Sequence, residues 1–318
     1  MPDNSTSFSG KLIVLLGGGG FFGTHVAQEL LARGARLRIA CREPKRAFRI
    51  KTLGNLGQVQ FLRADITDTR VLSGLVAGAD AVVNLVGAFS GDLDAVHVSG
   101  PAALAAAAKA AGVRAFVHVS ANGADAASPV DYARTKAEGE AAVLAAFPKA
   151  TIMRPSILFG QDDTFITMFA GLIARLPALP VFGPEAKLQP VYVGDAAAGL
   201  ANALGDPGKH GGKCYVLAGP EVITMGELNR HIAAAQNRTR LFIDLPDAIS
   251  GLIATLTGWL PGAPITSSQW QLLKAGNVAA GAPGLKALGV AARPLSLFLD
   301  RWMVQYRKHG RFGTKASA

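Results

Sequence analysis

The run Leu12-Ile-Val-Leu-Leu16, followed at once by Gly17-Gly-Gly-Gly20-Phe21-Phe22-Gly23 and then by Thr24-His-Val-Ala-Gln-Glu-Leu-Leu31, constrains this chain more than any other segment. Five consecutive apolar residues suit a strand covered on both faces, and the residues after Gly23 carry the spacing of an amphipathic helix. Between them, G-x-x-G-x-x-G lets the backbone turn tightly and approach a pyrophosphate, while the helix start offers free N–H groups and the positive end of a dipole. A glycine-rich turn without a ligand is the plain alternative, but it does not explain why the glycines fall between a buried strand and a helix.

The same rhythm recurs. Apolar runs at Leu37–Cys41, Val59–Leu62, Ala81–Val86, Ala115–Val119 and Thr151–Met153 are each followed by a helical candidate. Such strands, separated by helices, predict an α/β protein of the Rossmann type, a doubly wound parallel sheet with a smaller C-terminal lobe. Ala102–Ala111 is a run of strong helix formers stopped by Gly112, and Thr224-Met-Gly-Glu227 is a capping-box pattern. Past Asn237 the alternation is lost. The expected division is a flexible start at 1–10, a nucleotide domain at 11–236 with substrate-lobe insertions after 160, a substrate or partner lobe at 237–299 and a basic tail at 300–318. Ala248–Leu273 carries no charge, but Gly258, Pro261, Gly262 and Pro264 break it into pieces too short to span a bilayer, leaving room for an interfacial helix.

Charge and cysteine content narrow the setting. The net charge of +10 is concentrated late: Gln271–Ala318 holds eight Lys and Arg against Asp300 alone. Cys41 and Cys214 sit in strand-like runs without partners at metal or redox spacing, and read as small buried hydrophobes in a reducing compartment. The polar opening MPDNSTSFSG has neither a secretory apolar core nor presequence arginines, so a cytoplasmic placement is expected, with peripheral attachment at the inner face of the inner membrane as the alternative. The six histidines form no metal pattern, and His118, on an apolar strand, reads as a satisfied core histidine. There is no Gly-x-Ser-x-Gly elbow and no Walker loop.

Further positions follow from the fold. At the end of the second strand, where a carboxylate would bond the ribose 2′-hydroxyl of NAD, stands Arg42, with Lys45 and Arg46 beyond it. Basic groups there favour a 2′-phosphate, hence NADPH over NAD(H), although Glu43 and a solvated helix start offer a second reading. Asp65 after the third strand suits either the adenine amino group, with Ile66 on the ring, or a turn cap before Thr67. Leu85, Val86 and Gly87 close the fourth strand and are expected beneath the cofactor.

A candidate reactive group comes from Ser120, which ends the fifth apolar run, and Tyr132-Ala-Arg-Thr-Lys136 twelve residues on. Positions four apart share a helix face, so the Lys136 ammonium is expected near the Tyr132 phenol, favouring its ionised form and proton transfer near neutral pH.

With Arg154-Pro155-Ser156-Ile157-Leu-Phe-Gly160, Asp162-Asp163-Thr-Phe165 and Lys187-Leu-Gln189-Pro190-Val-Tyr192-Val-Gly-Asp195, the chain resembles the atypical extended short-chain dehydrogenases/reductases, of the epimerase/dehydratase superfamily. Within them it is similar to the NADPH-binding accessory subunits of respiratory complex I, from about Lys11 to Gln236. The resemblance implies that Gly17, Gly20 and Gly23, with Phe21 and Phe22 between them, hold the pyrophosphate. It implies that Arg42 reads the ribose phosphate, Lys136 bonds the nicotinamide ribose, Pro155 to Ile157 meet the carboxamide, and Ser120 and Tyr132 face a substrate. Asp195 reads as an N-cap, and Tyr192 as either core packing or an orienting residue.

Two functions follow. One is a binding protein holding NADPH in a respiratory complex or in ubiquinone metabolism; the other is an NADP(H)-dependent oxidoreductase or epimerase acting on a carbonyl or quinone-like small molecule. The C-terminal Trp302, Tyr306 and Phe312, interleaved with Arg301, Arg307, Lys308 and Arg311, suit an anionic membrane, an acidic partner or plain solvent. Nucleic-acid binding is not expected, because no recognition motif accompanies the charge.

Overall fold

Leu12–Leu16 (β1) enters the centre of a seven-stranded sheet because its residues are apolar on both faces, and all but Leu12 are buried. A computed structural model describes residues 7–258, 265–281, 284–308 and 310. Arg36–Cys41 (β2), Val59–Arg63 (β3), Ala81–Asn84 (β4), Ala115–Val119 (β5) and Thr151–Pro155 (β6) join β1, and Cys214–Leu217 completes the sheet. The order is Cys214–Leu217, β6, β5, β4, β1, β2, β3, with every pairing parallel. The chain reverses its direction of travel across the sheet between β1 and β4, where open α/β sheets leave a crevice beyond their carboxyl ends.

Phe21–Ala32 (α1) follows the glycine turn and buries Phe22, Val26, Ala27, Leu30 and Leu31; it ends before Gly34, whose φ is +86°. Leu72–Val76 (α2) and Gly100–Ala110 (α3) cover the sheet with β-facing Leu72, Leu75, Leu104 and Ala108 in one core cluster. The chain enters α3 through a π-turn at Ala95–Ser99. Asp131–Ala146 (α4) starts beyond Pro129 and stops at Phe147-Pro148, where proline forbids another turn.

The chain forms two compact units. One comprises 1–155, 193–217 and 281–291, and the other 156–192, 218–280 and 292–318. The division is interleaved: 156–192 leaves the nucleotide unit and 193–217 returns to it, within the span read from sequence as a nucleotide domain with substrate-lobe insertions after 160. Val193–Gly205 and Cys214–Leu217 belong with the nucleotide sheet, and Asp195 lies in the first turn of that helix, buried, rather than at an N-cap. Cys214 is exposed on an edge strand that leaves one flank uncovered, and Cys41 is half-buried at the carboxyl end of β2, so the expectation of two buried thiols fails.

In the second unit, Phe159, Ile166, Ile173, Leu179, Leu228, Ile232 and Met303 form the core. Asp163 closes the start of helix Phe165–Arg175 by accepting from the N–H groups of Gly160 and Ile166 at 3.0 and 2.6 Å. Gln189 ties several segments: its Nε2 donates to the Gly219 carbonyl at 2.7 Å and its Oε1 accepts from Ala279 N–H at 2.9 Å. Tyr192 stacks on Phe298 at 4.3 Å, Phe298 stacks on Trp302 at 4.8 Å, and the Arg293 guanidinium lies 4.5 Å from the Tyr192 ring centre. Packing therefore accounts for Tyr192. Trp302 belongs to this column, and Arg307 donates to the Ala235 carbonyl at the end of helix Met225–Ala235. The start of the expected basic tail is thus built into the second unit; Arg311, Phe312 and Lys315 lie outside the described residues.

Candidate functional site

The glycine turn is held against the end of β4. Gly17 has φ +82°, and a Cβ on it would stand 3.0 Å from the Leu85 carbonyl carbon, so only glycine admits this approach. A Cβ on Gly23 would lie 2.6 Å from Gly18 Cα, which fixes the close entry of the turn into α1. Gly20 precedes α1 and its carbonyl accepts from Thr24 N–H at 2.9 Å. Phe22 is buried, while Phe21 is half-buried and edge-on to His25 at 5.3 Å. The first-turn N–H groups of α1 and the exposed Gly20 thus follow the turn at the carboxyl end of β1, where Gly17 closes on the Leu85–Val86 backbone.

Arg42, Lys45 and Arg46 are exposed just past β2, and Arg46 pairs with Glu43 at 2.8 Å. Asp65 accepts from the backbone N–H and hydroxyl of Thr67 at 3.0 and 2.9 Å. These bonds, chiefly the backbone one, hold its carboxyl below the usual range, with Arg42 adding a smaller favourable charge. Of the two roles weighed for Asp65, the turn cap is therefore occupied. Ile66 is buried in the core cluster with Leu72 and Leu104.

Lys136 is 3% exposed, and its Nζ lies 3.3 Å from the Val119 carbonyl oxygen and 3.4 Å from that of Val86. Burial pushes its pKa down to about 8, against a smaller raising effect of Glu140. Glu140 itself binds Arg154 through two bonds of 2.8 and 2.6 Å. The expected tuning of Tyr132 by Lys136 does not occur in this arrangement. The phenol is pushed up to about 12 by burial, and the lysine ammonium turns instead to two backbone carbonyls.

Ser120 is 4% exposed, and its hydroxyl has no hydrogen-bond partner among the described residues. His118, two positions earlier on the same side of β5, shares that state at Nε2. Asn84 explains the tautomer: its Oδ1 accepts from Val86 N–H at 3.1 Å, so its amide donates to His118 Nδ1 at 3.0 Å, leaving the proton on Nε2. Two orphaned buried polar groups cost about 1–3 kcal/mol each, a cost that a polar ligand or bound water removes. The expectation of a satisfied core histidine holds for burial and fails for one nitrogen. Together with the glycine cradle, these groups suit a nicotinamide nucleotide.

Two residues that the sequence did not single out complete the site. His97, on the π-turn, accepts from Ala88 N–H through Nε2 at 3.1 Å, so its Nδ1 donates to Thr135 Oγ1 at 2.9 Å, and that hydroxyl donates to the Asp131 carbonyl at 2.7 Å. Burial, and then the Lys136 charge, lower its pKa to about 4, so the ring is neutral. Beyond Ala88, Phe89 stacks on Tyr132 with centroids 4.5 Å apart and planes at 16°, while His97 meets Tyr132 edge-on at 5.6 Å. A lone histidine in a helical run gave no signal, because a π-turn leaves no mark in residue spacing. Pro155 ends β6; Ile157 belongs to the second unit, where its carbonyl accepts from Val191 N–H at 2.9 Å. Among the described residues, no group of His, Cys, Asp or Glu is placed to hold a metal ion, and no helix is long and apolar enough to cross a membrane.

The fold and the glycine crevice define an NAD(P)H-binding protein, and an NAD(P)H-binding family model matches residues 17–169. The chain is 34% identical over 301 residues to the rat mitochondrial NADH dehydrogenase [ubiquinone] 1 alpha subcomplex subunit 9, covering 92% of this chain and 79% of the relative. A ceramide reductase of Caulobacter vibrioides is 34% identical over 194 residues, 59% of each chain. The Citrobacter triphenylmethane reductase complexed with NADP(H) superposes with a TM-score of 0.73 at 18% identity, over 91% of this chain and 99% of the other, a likeness of fold. The chain belongs to the family of the complex I alpha subcomplex subunit 9.

Proposed function

We propose that the protein holds NADPH as a bound cofactor at the carboxyl ends of β1 and β4 and serves as an accessory component of a membrane respiratory complex. The observation that carries the nucleotide site is the closure of Gly17 on Leu85 beside the unpartnered Ser120 hydroxyl. In this reading Gly17, Gly20 and Gly23, with Phe21 and Phe22, take the pyrophosphate. Arg42 and Arg46 take the 2′-phosphate; Asp65 and Ile66 border the adenine; Leu85, Val86 and Gly87 form the floor; and Ser120, Lys136 and Pro155 meet the nicotinamide half. The association with a respiratory complex rests on the named role of the subunit 9 relatives. Titrating nucleotide-free protein with NADPH and NADH tests the site; tighter NADPH binding that Arg42→Asp abolishes is expected, and equal affinity for both would refute the NADPH preference.

The second reading is carbonyl reduction, favoured by the buried Ser120 hydroxyl and by likeness to a reductase. The nucleotide supplies the hydride when bound. The Tyr132 phenol, protonated throughout the physiological range, donates its proton to the carbonyl oxygen, and Ser120 hydrogen-bonds that oxygen. Binding stands first because the subunit 9 relative matches 92% of this chain and the reductase 59%. Persistence of NADPH oxidation by a carbonyl substrate in Tyr132→Phe would exclude this mechanism.

A further inference from the structure

Phe89 is the one large apolar side chain in the segment Ala88-Phe-Ser-Gly-Asp92, and it is 71% exposed. Its inner face lies on Tyr132 at 4.5 Å, and the segment carrying it is anchored one residue earlier by the Ala88 N–H bond to buried His97. His97 is fixed in turn by Thr135, one turn of α4 from Tyr132. Gly87, the residue before Ala88, faces Lys136: a Cβ there would stand 3.3 Å from Nζ. The exposed ring is therefore held at a set place beside the two residues of α4 that the proposed function uses. Chance exposure of an apolar side chain needs no explanation, but a ring clamped on a phenol one helical turn from a lysine whose ammonium lies 3.3 Å from the carbonyl oxygen of Val119, the residue before Ser120, is a built wall.

Resting on the nucleotide-site reading above, we infer that Phe89 is the specificity-determining residue of this site and that its ligand carries a planar conjugated ring bearing a carbonyl. An aromatic wall contributes dispersion and quadrupole contacts to a flat ring and offers neither donors nor acceptors to the hydroxyls of a sugar. His97 is a positioning residue: it holds the 87–89 segment through a backbone bond and touches the ligand through none.

The test uses the full chain loaded with NADPH, titrated with 2-methyl-1,4-naphthoquinone, with UDP-glucose and with an acyclic ketone of matched hydrophobicity. Binding is read by calorimetry with an oxidation-inert reduced-nicotinamide analogue if NADPH is consumed. Naphthoquinone binding is expected, weakened about fivefold or more by Phe89→Ala, the scale of one lost aromatic stack. Phe89→Tyr should retain it, and nucleotide affinity, titrated alongside, should fall less than naphthoquinone affinity in Phe89→Ala. His97→Ala should weaken quinone binding while His97→Asn, which can still accept from Ala88 N–H, recovers part of it. Unchanged naphthoquinone binding in Phe89→Ala, preference for the acyclic ketone or UDP-glucose, or no quinone binding by the wild type would each overturn the inference. If no nicotinamide nucleotide binds, the nucleotide-site reading fails separately, and the quinone titration of nucleotide-free protein still reads Phe89.

Discussion

Lys136 shows at the scale of one residue how burial sets chemistry that spacing alone does not. The Tyr-x-x-x-Lys pattern placed both residues on one helix face, and α4 has that form. The ammonium lies instead within reach of two backbone carbonyls, of Val86 and Val119, and burial alone shifts the phenol. A lysine whose pKa falls from 10.5 to about 8 sheds its proton in the folded chain before the unfolded chain does. Stability should therefore rise with pH between those values, and below pH 8 the buried charge is a standing cost. Lys136→Met should raise the urea midpoint of nucleotide-free protein at pH 7, flatten that rise, and weaken nucleotide binding; a lower midpoint would show the ammonium to be stabilising. His97 and His118, lowered from 6.5 to about 4 and about 3, work at the acid end. The unfolded chain takes up protons there that the folded chain refuses, so stability should fall as pH drops from 6.5 toward 4, and unfolding at pH 7 compared with about pH 5 checks it.

Helices and turns show which elements the sequence made legible. The strand-turn-helix at Leu12–Ala32, the Ala-rich helix stopped by Gly112 and the capping box at Thr224 could be read because strands, glycine stops and caps are local devices. The π-turn at Ala95–Ser99 could not, since its cause is tertiary: α4 crosses it so closely that a Cβ on Gly139 would fall well inside van der Waals contact with the His97 carbonyl. Gly139→Ala should therefore cost about 3 kcal/mol of stability and loosen the His97 clamp, read as a lowered denaturation midpoint together with weaker ring binding. A midpoint within experimental error of wild type would mean that the crossing has room to relax. The aromatic column of Tyr192, Phe298 and Trp302 is similar in kind, because its members are 110 residues apart at the extremes. Trp302→Ala should cost about 3–5 kcal/mol in the second unit. For that reason a membrane role of the C-terminus is best tested by reversing the exposed charge of Lys308, with salt-sensitive vesicle binding as the readout, instead of truncating the chain after Leu299.

For the whole molecule, the alternation of apolar runs and helices disclosed a parallel sheet, and the sheet's reversal between β1 and β4 located the crevice. What stayed hidden was the return of Cys214–Leu217 to pair with β6, which interleaves the two units. Strand pairing across about sixty residues is a long-range contact, invisible to any local period. The glycines, Arg42, Ser120 and Lys136 could be proposed from residue type and position alone; Phe89 and His97 could not, because a stacking and a backbone bond that only the fold brings about single them out. Whether this architecture holds a nicotinamide nucleotide is best measured by equilibrium dialysis of nucleotide-free full-length protein against NADPH and NADH, alongside Gly17→Val. Saturable binding at one site per chain, tighter for NADPH and lost in Gly17→Val, is the expected result. No saturable binding of either nucleotide, or binding indifferent to Gly17, would contradict it.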